Sequence, residues 1–205
     1  MAPDERPSGA TSMVHGHLSR VMYSLQRSPT VSYILDSQFR IMYCNPAWNQ
    51  FARLNGEPRL TSDAVLGFDL FDAIPEVLRG AYAHAFQQVL STGKVWEQAY
   101  ECSSPSVFRE FRMRIHLLKP QNWFVITNPL SFERPHTRTA RADATAYVTA
   151  DGLVTMCAHC RCSRRLDNPD QWDFVPDYLQ LGSVSAVKVS HGLCPICRAY
   201  FYQPD

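Results

Sequence analysis

The sequence has no apolar run near the roughly 18–20 residues that a membrane-spanning helix needs. Its longest apolar stretches, such as Trp123-Phe124-Val125-Ile126, are the length of a strand. The opening MAPDERPSGATS lacks the hydrophobic centre of a secretory leader. An excess of one charge is also missing: 20 Lys and Arg stand against 19 Asp and Glu. So balanced a chain is not an overall electrostatic binder of nucleic acid, and only a local patch remains open. There is no Gly-rich phosphate loop, no nucleophile–base constellation and no open metal site beside a carboxylate. These absences predict a non-enzymatic protein of the cytoplasm.

What is present is enough to fold. Of 205 residues, 45% are hydrophobic and 19% charged, which suits one ordinary domain and a smaller one. The seven cysteines are unevenly placed. Cys44 and Cys102 stand alone, while Cys157, Cys160, Cys162, Cys194 and Cys197 fall in the last 49 residues. In a reducing compartment such a cluster points to metal binding or redox chemistry before structural disulfides.

Residues 1–12 read as a mobile tail. From Met13 to Gln26, Val14, Leu18, Val21, Met22 and Leu25 fall on one helical stripe. This predicts a flanking helix packed on its own domain, with a homodimer contact through 13–26 as the alternative. VSYIL (31–35) and RIMYC (40–44) read as a hairpin around Asp36-Ser37-Gln38. Asn45-Pro46 then opens a helix with an N-cap and a first-turn proline. A longer helix runs from Pro75 to about Ser91, with Val77, Leu78, Ala81, Ala85, Val89 and Leu90 as its apolar face. Three strands follow, at Val95–Cys102, Glu110–Leu117 and Trp123–Asn128. In the second, Phe111, Met113, Ile115 and Leu117 alternate with Glu110, Arg112, Arg114 and His116.

The predicted class is therefore α+β, a five-stranded antiparallel sheet with helices on one face. The expected division is a tail at 1–12, a domain with its flanking helix at 13–130, a linker at 131–152 and a metal-binding module at 153–205. Tyr33, Tyr43, Trp48, Phe51, Phe71, Phe111, Met113 and Trp123 are the candidates to line, or to fill, a pocket in the first domain. His84 joins them as a helix-borne imidazole.

Residues 20–130 resemble the PAS domain of signalling proteins. The likeness is carried by LDSQFRIMYCNPAWNQFA, VLGFDLFDAIP and FQQVLSTGKVWEQAYEC, in that order. The resemblance implies sensing or protein association. It also implies a core that holds haem, flavin, another chromophore or a metabolite, or is simply full. The Asn-Cys-Arg-Phe-Leu motif of the flavin-binding branch is absent. His84 lies where haem-binding members place an axial ligand, but it sits at the edge of the apolar face. Haem is not the expected ligand, and the ligand stays unnamed.

Cys157-Ala-His-Cys160 and Cys194-Pro-Ile-Cys197 are two Cys-x-x-Cys pairs. Each pair lets two thiolates of one turn reach one ion, and two pairs complete a tetrahedral four-sulfur site suited to one structural zinc. The 33 residues between the pairs exceed the usual spacing, so the insert needs structure of its own. Trp172, Phe174, Val175, Tyr178 and Leu179 are its candidate core. Cys162, His159 and His191 remain alternative ligands. The segment resembles a zinc-ribbon-like module of bacterial signalling proteins, through Cys157-Ala158-His159-Cys160, Arg164, Trp172, Tyr178 and Ser190-His191-Gly192-Leu193-Cys194-Pro195-Ile196-Cys197.

No kinase, cyclase or helix-turn-helix output follows either part, so the expected action is association with a signalling partner protein. Two alternatives stand beside it. One is a nucleic-acid-binding regulator that uses Arg134, Arg138, Arg141, Arg161, Arg164 and Arg165, against only Asp143 and Asp151. The other is a thiol redox sensor.

Overall fold

The computed structural model describes residues 9–104, 106–136, 139–180 and 187–202, with side chains from residue 18 onward, Gln180 excepted. Helix α1 (Gly9–Gln26) starts earlier than the predicted 13, and the rest of the expected tail lies outside the described residues. β1 (Val31–Leu35) and β2 (Ile41–Cys44) form the predicted hairpin. Asp36 Oδ1 closes its turn by accepting from the amides of Gln38 and Arg40, at 2.8 and 2.9 Å. Four helices follow: α2 (Pro46–Leu54), α3 (Ser62–Val65), α4 (Leu70–Ala73) and α5 (Glu76–Thr92). Gly93 ends α5 at φ 67°, a left-handed position that glycine takes without strain.

β3 (Trp96–Glu101), β4 (Val107–Leu118) and β5 (Trp123–Asn128) complete an antiparallel sheet in the order β2-β1-β5-β4-β3. Its inner face carries Tyr33, Leu35, Met113, Ile115, Phe124 and Ile126 against Ala85, Phe86 and Val89 of α5. Phe86, omitted from the predicted apolar face, is at the centre. Its ring lies 4.8 Å from those of Phe39 and Phe124. Val77 and Leu90, two of the apolar positions at helical spacing, are exposed. The outer face of the sheet is not bare. Leu18, Val21, Met22 and Leu25 of α1 pack on Ile34, Leu118 and Val125. The part of the stripe considered for a dimer is therefore covered within the chain, because an apolar sheet face with no other cover must bury itself. The side chain of Val14 lies outside the described residues.

Asn45 ties this architecture together. It is fully buried, and its Oδ1 accepts from the amides of Ser32 and Trp48 at 3.0 and 3.3 Å. Its Nδ2 donates to the carbonyls of Leu25, Ser28 and Thr30 at 3.0, 3.2 and 2.8 Å. One carboxamide thus joins the end of α1, the start of β1 and the cap of α2, with its polar capacity in use.

The expected linker at 131–152 is not one. β6 (Leu130–Pro135) adds a sixth strand and α6 (Ala144–Tyr147) a helical turn. The cause is the length of β4. Its 12 residues exceed the six of β5, so β5 pairs with its second half and β6, after the break at Pro129, with its first. Beyond lie β7 (Leu153–Cys157), β8 (Ser163–Arg164), β9 (Trp172–Asp173), β10 (Lys188–Gly192) and α7 (Pro195–Phe201). They form a second sheet in the order β10-β7-β8-β9, with β10 parallel to β7. The core of this module is Ala146, Tyr147, Val154, Met156, Val175 and Tyr178. Much of it therefore comes from the expected linker and β7. Of the predicted set, Trp172 packs on the cysteines, and Phe174 stacks on His136 with ring centroids 3.8 Å apart.

The module does not hang from a tether. Ala158, Leu193 and Tyr202 share one apolar cluster with Ile74 and Leu78 at the start of α5. Among the described residues no helix is long and apolar enough to cross a membrane.

Candidate functional site

Two chain turns build the cysteine centre. The first follows β7: the Cys157 carbonyl accepts from the Arg161 amide at 3.0 Å, and the Cys157 amide donates to the Cys162 carbonyl at 2.8 Å. The second is the N-terminus of α7, where Cys194 is the cap and Pro195 the first helical residue. The parallel register sets Gly192 beside Cys157, which brings the two turns together. Cys194 Sγ accepts from the Cys197 amide, and Cys157 Sγ from the Cys194 amide, both at 3.4 Å.

The four sulfurs of Cys157, Cys160, Cys194 and Cys197 lie within 4.8 Å of one another, and the Cys160 and Cys194 sulfurs are 3.8 Å apart. A tetrahedron with metal–sulfur bonds of about 2.3 Å has edges of about 3.8 Å. The donor set therefore fits a tetrahedral, thiophilic ion. Its acid–base chemistry agrees. Cys157 is held far below the ordinary thiol range by hydrogen bonds from Cys160, Cys194 and Cys197. Those three are pushed up, first by Cys157 itself. One thiolate is easy to form here, and four need a cation to offset them.

The alternative ligands fall outside this group of four. His159 is buried, but its Nδ1 lies 3.1 Å from the Tyr202 hydroxyl and its ring stacks on Phe201. His191 is exposed on β10. Cys162 lines a cleft of about 530 Å³ together with Cys160, Trp172, Glu101 and Phe108. Burial pushes Glu101 up to about 7. Its hydrogen bond from Ser103, at 2.6 Å, works against that shift and the charge on Cys157 adds to it.

The first domain holds a cavity of about 310 Å³ between α2 and the inner sheet face. Of the predicted pocket residues, Tyr33, Trp48, Phe51 and Met113 line it. Phe111 is buried beside it, 5.7 Å from Phe51 ring to ring. Phe71 packs with Phe39 and Phe86 instead. Tyr43 and Trp123 lie on the opposite sheet face, under α1. For Tyr43 the cause is a bulge: Ile34 pairs with Tyr43 but Leu35 with Ile41, so Met42 is looped out and the alternation resets. For Trp123 it is ordinary alternation against Phe124 and Ile126. His84 is exposed and lines a different groove, between α5, β3 and α7. Sequence reasoning missed Ala52, Leu60, Tyr100 and Asn128. The Tyr100 hydroxyl donates to Asn128 Oδ1 at 3.0 Å, a polar pair on an otherwise largely apolar wall. The alternation of Tyr100 with Trp96 was the available signal.

The arginine cluster is mostly engaged within the chain. Arg165 pairs with Asp167 and Asp173, Arg164 donates to the Pro169 carbonyl, and Arg134 lies over the Phe108 ring. Arg161, at φ 62°, is within electrostatic reach of Glu101 and Tyr82. Arg141 is exposed, and Arg138 lies outside the described residues.

No curated protein matches the chain. Solved structures do, at low identity. The LOV protein of Rhodobacter sphaeroides is 14% identical, with a TM-score of 0.41, over 57% of this chain and 68% of that one. A PAS domain from a two-component sensor histidine kinase is 13% identical, with a TM-score of 0.37, over 57% and 98%. A domain of a sensory box sensor histidine kinase/response regulator from Geobacter sulfurreducens is 16% identical, with a TM-score of 0.39, over 56% and 92%. The sequence pattern described as the PAS fold matches residues 25–128, half of the chain, and the strand order agrees with it. The chain belongs to the PAS-fold family.

Proposed function

We propose that the protein is a non-enzymatic signalling component of the cytoplasm. Its PAS domain senses through the cavity beneath α2, and its four-cysteine module passes the state on to a partner protein. The observation that carries this reading is the shared cluster of Ile74 and Leu78 with Ala158, Leu193 and Tyr202. The module rests on α5, and α5 lies across the inner face of the sheet that also lines the cavity. The cavity suits a small apolar molecule with one polar group, which Tyr100 and Asn128 can meet.

Zinc is the ion that this donor set suits, held by Cys157, Cys160, Cys194 and Cys197. It supplies folding free energy to a module whose main apolar core, among the described residues, is six buried side chains. The nucleic-acid alternative loses ground because two of the six arginines that would carry it are engaged within the chain, Arg165 with Asp167 and Asp173 and Arg134 over Phe108.

The test is metal analysis followed by hydrogen exchange before and after chelation. The expected result is about one zinc per chain, and faster exchange in both the module and the first turns of α5 once it is removed. Unchanged exchange in α5 would sink the relay, and a metal-free protein with a well-protected module would sink the structural role.

A further inference from the structure

The cysteine cluster has five members in sequence and four in space. The fifth, Cys162, is not idle packing. Of the four sulfurs that fit a metal, those of Cys157, Cys194 and Cys197 belong to residues that are 0%, 4% and 4% exposed. Cys160 is the partly exposed one, and it opens into the same cleft of about 530 Å³ as Cys162. A solvent-borne oxidant therefore reaches this edge of the centre first. Cys162 lines that cleft beside Cys160, on the other side of the left-handed turn at Arg161. Their α-carbons, two residues apart, cannot be separated by more than about 7 Å. That is the range a disulfide spans.

We infer that Cys160 and Cys162 form an oxidant-sensitive thiol pair that opens the metal centre, with hydrogen peroxide as the class of co-reactant. This rests on the metal-bearing reading of the centre. The Cys160 thiolate attacks one peroxide oxygen. The O–O bond breaks, hydroxide leaves and Cys160 becomes a sulfenic acid, two electrons oxidised. The Cys162 sulfur then attacks the Cys160 sulfur. The S–S bond forms, the S–O bond breaks, and the hydroxyl leaves as water with the Cys162 proton. Three thiolates remain for the ion, which is released. A dithiol reductant returns two electrons and restores the site. The buried cysteines are shielded from this chemistry by Trp172 and Leu193, which pack over them.

The test compares the full chain with Cys162→Ser and Cys162→Ala, using Cys102→Ser as a control. Zinc is measured first, then its release into a chromogenic chelator after addition of hydrogen peroxide, then the disulfide by peptide mapping. The wild type and the control are expected to lose zinc in step with a Cys160–Cys162 disulfide and to regain it after reduction. Both Cys162 variants are expected to bind as much zinc beforehand and to release it roughly tenfold more slowly, because no neighbouring thiol withdraws Cys160 from the ion. Equal release rates, or a disulfide that joins other cysteines, would overturn the pair. A protein without zinc at the outset would overturn the metal reading instead, and the mapped disulfide would then judge the pair by itself.

Discussion

The two halves of the molecule hold themselves together differently. The PAS half is a sheet covered on both faces, by α5 and its neighbours within and by α1 without. Its core rings from Phe39, Phe71, Phe86 and Phe124 touch in a continuous group. Among the described residues, the module has strands of two to five residues and a main core of six, and its two strands nearest the cysteines are parallel. On the reading proposed above, apolar burial is enough for the first half, and in the second an ion held by four thiolates would complete the structure. The lesson is that a cluster of cysteines marks where a chain has too little side-chain mass to fold unaided.

The sharpest way to break this contrast is to remove the ion's ligands. Replacing Cys157 and Cys194 together by Ser should abolish amide protection throughout β7, β10 and α7, since structural zinc is worth on the order of 10 kcal/mol. β1, β4 and β5 should stay protected. Hydrogen exchange read by mass spectrometry checks this, and equal loss in both halves would dissolve the distinction.

The PAS half should break at Asn45 rather than at any cysteine. Asn45→Ala removes five side-chain hydrogen bonds, two accepted from amides and three donated to carbonyls, and should cost about 3 kcal/mol, read as a lower urea midpoint. Asn45→Asp should cost more, because a carboxylate would face the carbonyls of Leu25, Ser28 and Thr30. Asn45→Asp behaving like the wild type would show that the carboxamide is not the tie.

Leu78→Ala tests the seam. It is 4% exposed in the shared cluster, so truncation should cost about 2–3 kcal/mol and lower the melting of both halves. A drop in the PAS half alone would mean that the module does not lean on α5.

The smallest effect concerns Glu101. Its folded-state pKa, near 7, lies above the unfolded carboxyl value, so folding favours the protonated form. Stability from this group is present at low pH and declines as pH rises through about 7. Glu101→Gln should therefore flatten the decline between pH 5 and 8 in thermal melts, with little change at pH 5. Equal slopes in the two proteins would assign the pH dependence elsewhere.

Much of the PAS half is legible in the sequence because its signals are local. The alternation of Phe111, Met113, Ile115 and Leu117, the Asn45-Pro46 cap and the Gly93 stop each act within a few residues. What sequence hides is non-local. The bulge at Met42 turns Tyr43 to the outer face, and only pairing with β1 reveals it. β6 exists because β4 outruns β5, a length mismatch between segments. Tyr147 reads as linker but is 2% exposed in the module core, where its hydroxyl donates to Asp173 at 2.7 Å. For the centre, Cys-x-x-Cys spacing points to the four sulfurs that gather. It does not show that Cys160 and Cys162 share a cleft, or that His84 faces a groove beside α7.

The parallel alignment of Gly192 with Cys157 has a mechanical consequence. A strand can slide along its neighbour by two residues and keep the same faces inward, a shift of about 6.6 Å. Such a slide would carry Cys194 and Cys197 out of bonding distance of Cys157 and Cys160. An ion held by the four cysteines, as proposed above, would act as a vernier that accepts one setting of β10 on β7. Residues between the two turns can be added at little entropic cost, roughly 0.6 kcal/mol per doubling of loop length, so long as that setting is kept.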